Sequence, residues 1–297
     1  MEPILLIRNS KSGLVAREQE IEAGIEMLQE KGFTVHTAFI QDVLTRANFR
    51  KKLEEFKPTT VIACGGDGTV NLLTQYLIYT PIRLAVIPAG TFNHFAKHIG
   101  IGTAINDAFI TVITGETINI DVAEVNGKEF VNFSSVGFYT QLIKRRVGYQ
   151  KLSWKKWTAF IIAIYESFVS YSSLELEIKK NDKQVSIKTP LIFIGNNIFD
   201  FGSTDILAGR QDFMSGKLHI SIAKDIGRFK MLWLGFRSLF SDIKNKAGFT
   251  TIALDTLEIK TKRSKLWVSL DGEIEKMKAP LVYKICPKSL RVIVPKS

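Results

Sequence analysis

Three glycines occur within Gly65–Thr69, which has the sequence Gly-Gly-Asp-Gly-Thr and follows the apolar run Val61–Cys64. A glycine-rich turn between a buried strand and a helix lets the backbone take left-handed conformations and approach a ligand closely. Phosphate is the expected ligand, because the N–H groups and the dipole at a helix start favour negative charge. The simpler interpretation is an ordinary turn in which Asp67 or Thr69 caps the helix. The segment matches neither a Walker loop nor the Gly-x-Gly-x-x-Gly fingerprint.

Two further polar loops that contain glycine are predicted to lie beside the first. Asn9–Gly13 follows the apolar run Ile4–Ile7, and Gly90–Asn93 follows the run Ile82–Ile87. Each loop is expected to open a helix at the carboxyl edge of a parallel sheet, where ligands bind. A plainer alternative is that the hydroxyls of the two outer loops only cap helices. The candidate donors to a nucleotide are Lys11, Ser12, Thr69, Thr91 and Asn93.

Two carboxylates, Asp271 and Glu273, flank a glycine after the strand-like run Leu266–Leu270. Asp-Gly after a strand is a common hairpin turn, and that interpretation needs no chemistry. The pair could instead serve as a proton acceptor and its orienting partner. The residues alone leave both alternatives open.

The spacing of apolar residues changes near residue 117. Before it, short apolar runs alternate with helical patterns such as Glu18–Lys31 and Leu44–Phe56, which predicts a parallel sheet covered by helices. After it, apolar and polar residues alternate, as in Leu174–Ile178 and Leu218–Ile222. This period of two predicts antiparallel strands with one solvated face. The predicted fold class is therefore α/β plus all-β, with an amino-terminal parallel-sheet domain and a carboxy-terminal antiparallel β-sandwich domain.

The composition indicates a well-packed chain with an anionic partner. The 297 residues are 45% hydrophobic and carry a formal net charge of +11. Such a charge favours phosphate-rich partners, whether nucleotide, nucleic acid or anionic membrane. The two cysteines, Cys64 and Cys286, lie in apolar runs and are expected to be buried free thiols in a reducing compartment. The start of the chain does not resemble a signal peptide, and Glu166 interrupts the apolar stretch Trp157–Tyr171, so no membrane span is predicted.

Two helical patterns, Lys155–Val169 and Ile226–Ile243, interrupt the alternating strands, and the second of them combines aromatic and basic residues. An amphipathic helix of this kind can lie in a membrane interface. The equally weighted alternative is a core-facing helix whose cations are solvated. Its predicted anchors and cations are Phe229, Trp233, Phe236, Phe240, Arg228, Lys230, Arg237 and Lys244.

Taken together, the loops resemble those of one enzyme family. The chain is similar to the catalytic domain of the diacylglycerol kinase and sphingosine kinase family of lipid kinases, and most similar to its bacterial soluble members. NAD kinases and phosphofructokinases share the glycine-rich turn alone, whereas the Gly90 loop and the Asp271 turn are more specific. The motifs that carry the resemblance are Asn9-x-x-Ser12-Gly13, Gly65-Gly66-Asp67-Gly68-Thr69, Pro88-x-Gly90-Thr91-x-Asn93, Val136-Gly137-Phe138, Ile194-Gly195-Asn196-Asn197 and Asp271-Gly272-Glu273.

The resemblance implies the domain organisation and the cofactors. It implies a nucleotide-binding α/β domain of the NAD kinase/phosphofructokinase type over residues 1–120 and a β-sandwich domain with the lipid site over 121–280. Residues 281–297 are expected to return and pack on the first domain. It further implies that ATP and Mg²⁺ are the cofactors and that ATP lies in the cleft between the domains.

The resemblance also implies roles for individual residues. Asp271 corresponds to the base for the lipid hydroxyl, and Glu273 to its neighbour near the nucleotide and metal. Asp67 corresponds to the metal position of the Mg-ATP site. In the family's first loop Asn-Pro is usual, whereas this chain has Asn9-Ser10, and Asn93-His94 replaces the commoner Asn-Asp. The residues implied to line the nucleotide are Asn9, Lys11, Ser12, Gly65, Gly66, Asp67, Gly68, Thr69, Gly90, Thr91 and Asn93.

The expected function is ATP-dependent phosphorylation of a diacylglycerol-like lipid alcohol by a cytoplasmic protein associated peripherally with the membrane. The expected partners are the lipid alcohol and an anionic membrane surface, without nucleic acid, and a homodimer is left open. Two alternatives are a soluble small-molecule kinase of the NAD kinase type and a non-catalytic lipid-binding protein with the same fold.

Overall fold

A computed structural model describes residues 2–9, 17–91, 93–137, 140, 174–180, 183–196, 213–224 and 249–296. Lys11 and Ser12 lie outside the described residues, as do the predicted helices Lys155–Val169 and Ile226–Ile243.

The amino-terminal half alternates strands and helices, as predicted. Strands β1, β3 and β4 are buried along nearly their whole length, since helices cover both faces of the sheet. The elements are β1 (Pro3–Arg8), α1 (Glu18–Glu30), β2 (Thr34–Phe39), a short 3₁₀ helix (Ile40–Val43), α2 (Arg46–Phe56), β3 (Thr60–Gly65), α3 (Asp67–Leu77), β4 (Arg83–Pro88), α4 (His94–His98) and α5 (Ile105–Thr114).

The first four strands are parallel and lie in the order β2-β1-β3-β4. Their carboxyl ends therefore meet at one edge, where the chain continues as Asn9, as Gly66 and as Ala89. The helices that follow bury one apolar face each, as Ile21, Ile25 and Leu28 do on α1. This arrangement puts the three predicted loops side by side.

The carboxy-terminal half consists of strands in its described part. A second sheet has the order β12-β11-β10-β7-β14-β15 and is antiparallel throughout. The strands are β5 (Glu116–Val125), β6 (Lys128–Phe130), β7 (Phe133–Gly137), β8 (Leu174–Lys180), β9 (Lys183–Thr189), β10 (Leu191–Gly195), β11 (Leu218–Ala223), β12 (Phe249–Leu254), β13 (Thr256–Lys260), β14 (Lys265–Leu270), β15 (Glu273–Lys278) and β16 (Leu281–Val294).

The two sheets of this half pack face to face around one core. Val268 of β14 and Ile192 of β10 lie in the same buried cluster as Leu257 of β13 and Tyr283 of β16. Alternate residues of each strand point into this core, which is the physical cause of the period-two pattern in the sequence. The predicted fold class, a parallel sheet with helices followed by antiparallel sheets, is confirmed.

The last strand, β16, continues the parallel sheet into the second half. One edge of β16 pairs antiparallel with β5 along almost its whole length. The other edge pairs with β13 through its first residues and, in parallel, with β4 through Arg291 and Val292. The described strands thus form one sheet that runs β2-β1-β3-β4-β16-β13-β8-β9. The domain boundaries near residues 120 and 280 stay a prediction.

The glycine-rich turn and the Gly90 loop touch backbone to backbone. A Cβ atom on Gly90 would lie 2.3 Å from the Cα of Gly66 and 2.8 Å from Asn93 Oδ1. Neither glycine has a positive φ, and the same is true of Gly65 and Gly68. The expectation of left-handed backbone in this turn was therefore wrong. The glycines at 66 and 90 are required because the two loops cross closely.

Asp121 joins three segments near the boundary of the two halves. It is 1% exposed, and its carboxylate accepts N–H bonds from Gly216 at 2.6 Å and from Lys288 at 2.8 Å. Lys288 has φ +50 and sits where the pairing of β16 with β5 shifts register. The Asp121 carbonyl also accepts from the Asn196 side chain. A buried carboxylate is tolerated here because backbone donors satisfy both oxygens.

Gly90→Ala should destabilise the protein by about 1–3 kcal/mol, because the added methyl group overpacks a backbone crossing. Gly68→Ala is the matched control, since a Cβ there would meet nothing within 4 Å. Urea unfolding followed by circular dichroism measures both. Equal stabilities for the two variants would contradict the close crossing.

Asp121→Asn should lower the free energy of unfolding by about 1–3 kcal/mol, since an amide NH₂ would face a backbone N–H donor. Asp255→Asn is the control, because the side chain of Asp255 is 66% exposed and paired only with Lys217. Thermal unfolding of both variants is the measurement. A loss no larger than that of the control would show that Asp121 does not hold the three segments together.

Candidate active site

The glycine-rich turn passes directly from β3 into α3. Ala89 donates its N–H to the carbonyl of Gly65 at 3.0 Å, which ties the turn to the loop after β4. Asp67 is the first residue of α3, and its Oδ1 accepts the N–H of Phe95 at 3.1 Å. One carboxylate oxygen of Asp67 therefore holds the start of α4 against the start of α3. The N–H of Thr69 already donates to the Gly66 carbonyl at 2.9 Å, so the N–H groups of Asp67 and Gly68 are those of the first turn that suit an anion.

The loop after β1 is bound to the same turn. The Asn9 side chain donates to Thr69 Oγ1 at 3.1 Å, and the Asn9 N–H donates to the carbonyl of Cys64 at 3.1 Å. Thr69 is 2% exposed, and a Cβ on Gly65 would lie 2.4 Å from its hydroxyl. Asn9 and Thr69 therefore define how the two loops lie against each other.

Asn93 organises the third loop. It has φ +51, and its side-chain Oδ1 accepts the N–H of Gly90 at 3.0 Å. Its Nδ2 donates to the carbonyls of Gly90 and Pro88, at 3.0 and 3.3 Å. The amide is thus committed to shaping the loop, whereas Thr91 is exposed. The structure favours Asn93 as a residue that positions the loop.

Arg8 is a residue of this region that the sequence patterns did not identify. Its side chain is 9% exposed and forms ion pairs with Glu22 at 2.6 Å and Glu18 at 3.0 Å. The nearby Arg17 donates to the carbonyl of Pro88 at 3.2 Å. These contacts fix α1 against the ends of β1 and β4. The two glutamates lie on a helix face, where charged residues are common, so the spacing in the sequence gave no signal that Arg8 at the end of β1 is buried and paired with them.

Asp271 and Gly272 form the tight turn between β14 and β15. Their φ angles are +47 and +91, the combination of a type I′ hairpin turn. The hairpin interpretation of Asp-Gly was therefore right, and it does not compete with a chemical role. Glu273 is exposed and pairs across the turn with Leu270.

The Asp271 carboxylate is held by the backbone of the β6–β7 connection. Its Oδ1 accepts N–H bonds from Asn132 and Phe133, each at 2.9 Å, and its Oδ2 accepts from Val131 at 2.8 Å. A carboxylate offers about four lone-pair sites, so one site on Oδ2 is left for another donor. Backbone amides have no sequence signature, which is why these partners could not be predicted.

Burial raises the pKa of Asp271 to about 6, although the N–H bonds from Val131, Phe133 and Asn132 lower it. The negative charge of Asp67 raises this pKa further. The carboxylates of Asp271 and Asp67 are therefore within electrostatic range of each other. At neutral pH the carboxylate is ionised and can accept a proton.

The described residues therefore bring together most of the predicted site. Asn9 contacts Thr69, Gly66 contacts Gly90, and Asp67 is close enough to Asp271 to change its pKa. The catalytic and nucleotide-binding roles of these residues remain predictions. Within the same ranges, no group of three or more His, Cys, Asp or Glu side chains forms a metal cluster.

Comparison with known proteins supports the resemblance seen in the loops. Residues 3–125 match the family described as the diacylglycerol kinase catalytic domain. The lipid kinase YegS of Escherichia coli strain K12 is 37% identical over 145 residues, which cover 46% of this chain and 47% of that protein. The probable lipid kinase YegS of Escherichia fergusonii is 34% identical over 143 residues, with the same coverage. The chain matches about half the length of these curated relatives.

The solved structures extend the likeness to the whole fold. A diacylglycerol kinase from Bacillus anthracis superposes with a TM-score of 0.71 at 22% identity, covering 99% of this chain and 97% of that one. A second solved structure of that organism's diacylglycerol kinase gives a TM-score of 0.72 at 21% identity. The resemblance predicted from the loops is thus confirmed: over residues 3–125 the chain is similar to the diacylglycerol kinase catalytic-domain family, and it shares the fold of these solved kinases.

Proposed function

We propose that this protein is an ATP-dependent lipid kinase that transfers the γ-phosphate of Mg-ATP to the hydroxyl of a diacylglycerol-like lipid alcohol. The observation that carries the proposal is the Asp271 carboxylate, which three backbone N–H groups orient and which is within electrostatic range of Asp67 in the glycine-rich turn. A proton acceptor next to an anion-binding helix start is the arrangement that phosphoryl transfer to an alcohol needs.

The residues present fit Mg-ATP. Gly66 and Gly90 lie backbone to backbone, and because both are glycines neither places a side chain at the turn. The first N–H groups of α3 are available to phosphate. Mg²⁺ prefers oxygen ligands and usually takes one or two carboxylates together with phosphates. Asp67, the first residue of α3, is the carboxylate proposed to hold the metal. When bound, Mg-ATP supplies the phosphoryl group and neutralises charge on it.

The three loops have the binding role in this proposal. Asn9 and Thr69 hold two loops in register, and Asn93 shapes the third. Lys11, Ser12 and Thr91 are proposed to contact the nucleotide directly. Phosphoryl transfer depends mainly on positioning and charge stabilisation, so rigid loops are a sufficient framework.

Asp271 is the proposed general base. The remaining lone-pair site on Oδ2 would accept the hydroxyl proton of the lipid as the new oxygen–phosphorus bond forms. The backbone donors of the β6–β7 connection keep the carboxylate oriented throughout. Glu273 is proposed to act from the same turn, nearer the nucleotide and metal.

The proposed location is the cytoplasm, with peripheral association to an anionic membrane. The net charge of +11 favours such a surface. In the part of the chain that the structure describes, no helix combines the length and apolarity needed to cross a bilayer. The lipid alcohol would be phosphorylated where its hydroxyl lies, at the headgroup level.

Asp271→Asn should lower turnover by about 10²- to 10⁴-fold, because the amide cannot take the hydroxyl proton. Transfer of label from γ-labelled ATP to a panel of lipid alcohols measures the rate, and isothermal titration should show nearly unchanged ATP affinity. Asp255→Asn is the control, an exposed carboxylate on another strand connection. Activity of Asp271→Asn within a few-fold of the unmodified protein would rule out Asp271 as the base.

The same labelled-ATP assay separates the alternatives. Phosphorylation of NAD in place of lipids would assign a small-molecule kinase of the NAD kinase type. Lipid binding without transfer to either acceptor would assign a non-catalytic protein.

Activity should fall as the pH drops through about 6, the raised pKa of Asp271. The carboxylate acts only when ionised, so activity is present above this pH and decreases about tenfold per unit below it. A pH profile of kcat at saturating substrates is the measurement. The residual activity of Asp271→Asn should not show this decrease at low pH. A decrease caused by protonation of ATP would remain in the variant, so the comparison assigns the effect to the carboxyl group. A decrease near pH 4 instead would contradict the raised pKa.

A further inference from the structure

The outer face of the β14–β15 hairpin carries paired cations. Lys265 lies directly opposite Lys278, and Trp267 lies directly opposite Lys276. All four side chains are exposed, whereas Leu266 on the other face is buried. Like charges directly opposite each other on neighbouring strands are destabilising. The stability of the sheet therefore does not explain why these cations lie opposite each other.

The cations continue around the end of the hairpin. The β13–β14 connection contributes Lys260, Lys262 and Arg263, and the N–H of Ala279 donates to the carbonyl of Ser264 at 3.0 Å. The β13–β14 connection and the β15–β16 connection, which contains Ala279 and Pro280, line a pocket of about 330 Å³. The name cationic patch is used below for Lys260, Lys262, Arg263, Lys265, Lys276 and Lys278 together with Trp267.

Few carboxylates offset this charge. Lys260 and Lys262 each have one acidic partner at 3.6 Å, and Lys262 is 94% exposed. Exposed pairs of that length contribute little. Arg263, Lys265, Lys276 and Lys278 form no ion pair with another described residue. Lys276 Nζ instead lies 5.7 Å from the centre of the Trp267 ring.

Protection of a sheet edge explains only part of the patch. Within the described strands, β15 is at the edge of its sheet, and lysines at an edge discourage pairing with other chains. That reason covers Lys276 and Lys278 but neither Lys265 on the inner strand nor the cations of the β13–β14 connection. A second copy of this chain would place the same charges against each other and is disfavoured.

We infer that the cationic patch is a docking surface for an anionic lipid bilayer. Lysine and arginine side chains near an anionic membrane each favour binding, and tryptophan prefers the headgroup level. The outer face of the hairpin combines both preferences, since it presents the exposed Trp267 together with three lysines. The other three cations of the patch line the pocket at the open end of the hairpin. The cationic patch contains no residue of the segment Ile226–Ile243 and none of the candidate active site.

The inference deepens the proposed function and rests on it for the link to lipid chemistry. The Asp271 turn closes the same hairpin, and Lys265 lies about 20 Å from it at about 3.3 Å per residue. Docking through the patch would thus orient the proposed base relative to the headgroup layer through a single hairpin.

The test uses the full chain and vesicles of phosphatidylcholine with and without phosphatidylglycerol. The patch variant combines Arg263→Glu, Lys265→Glu and Lys278→Glu. The matched control makes the same change in net charge on the exposed side chains Lys31, Arg50 and Lys51, each replaced by Glu. Thermal unfolding confirms that both variants are folded, and sedimentation measures vesicle binding.

The unmodified protein should bind the anionic vesicles and be released by salt. The patch variant should bind them roughly 100-fold more weakly, while the control keeps at least a third of the affinity. An equal loss in both variants, or no binding by the unmodified protein, would overturn the inference. Tighter patch-dependent binding to a DNA duplex than to the vesicles would overturn it in favour of a nucleic-acid surface.

A parallel assay with a short-chain, water-soluble diacylglycerol separates this inference from the proposed kinase activity. Unchanged turnover of this substrate by the patch variant, with loss of turnover on vesicles, supports docking. Charge-dependent vesicle binding without phosphorylation of any lipid would retain the docking surface and reject the proposed function.

Discussion

The interaction on which the candidate site depends is the set of backbone N–H bonds to the Asp271 carboxylate. Val131 and Asn132 connect β6 of the first sheet to β7 of the second sheet, and Phe133 is the first residue of β7, which pairs with β14 of the Asp271 hairpin. The bonds therefore fix the hairpin turn against the end of the first sheet. They also keep the carboxylate ionised at neutral pH despite its burial, because hydrogen bonds to the charged form oppose the cost of desolvation.

A second constraint is the packing of loop against loop. The turn after β3 and the turn after β4 approach so closely that a Cβ atom at position 90 would lie 2.3 Å from the Cα of Gly66, and one at position 66 would lie 3.1 Å from the Cα of Gly90. Asn93 and Asp67 then use side-chain oxygens to hold backbone N–H groups of the same loops. Some polar side chains at this edge thus shape the loops, and others are proposed to contact the nucleotide. Spacing in the sequence cannot divide them into these two groups.

Much of the fold could be predicted from the sequence, because burial imposes periodicity. The continuous apolar runs became parallel strands, and the alternating runs became strands with one solvated face. The three loops were predicted to lie side by side because each follows an apolar run of a parallel sheet, whereas the Asp271 turn was joined to them only through the family resemblance. The amide donors to Asp271, the buried Arg8 pairs and the role of Asp121 were not predictable, since they depend on contacts between residues far apart in the chain.

The path of β16 has a consequence for the order in which the chain can fold. β4 would present an open edge in a segment of residues 3–125 alone, because its partner beyond β3 is residues 291–292. The sheet of the first half is therefore completed only by a strand that is synthesised much later. Contacts of such long sequence separation slow folding. Until β16 pairs with β4, the exposed edge of β4 can pair with strands of other chains. The nascent chain is therefore open to aggregation at this edge unless another molecule covers it.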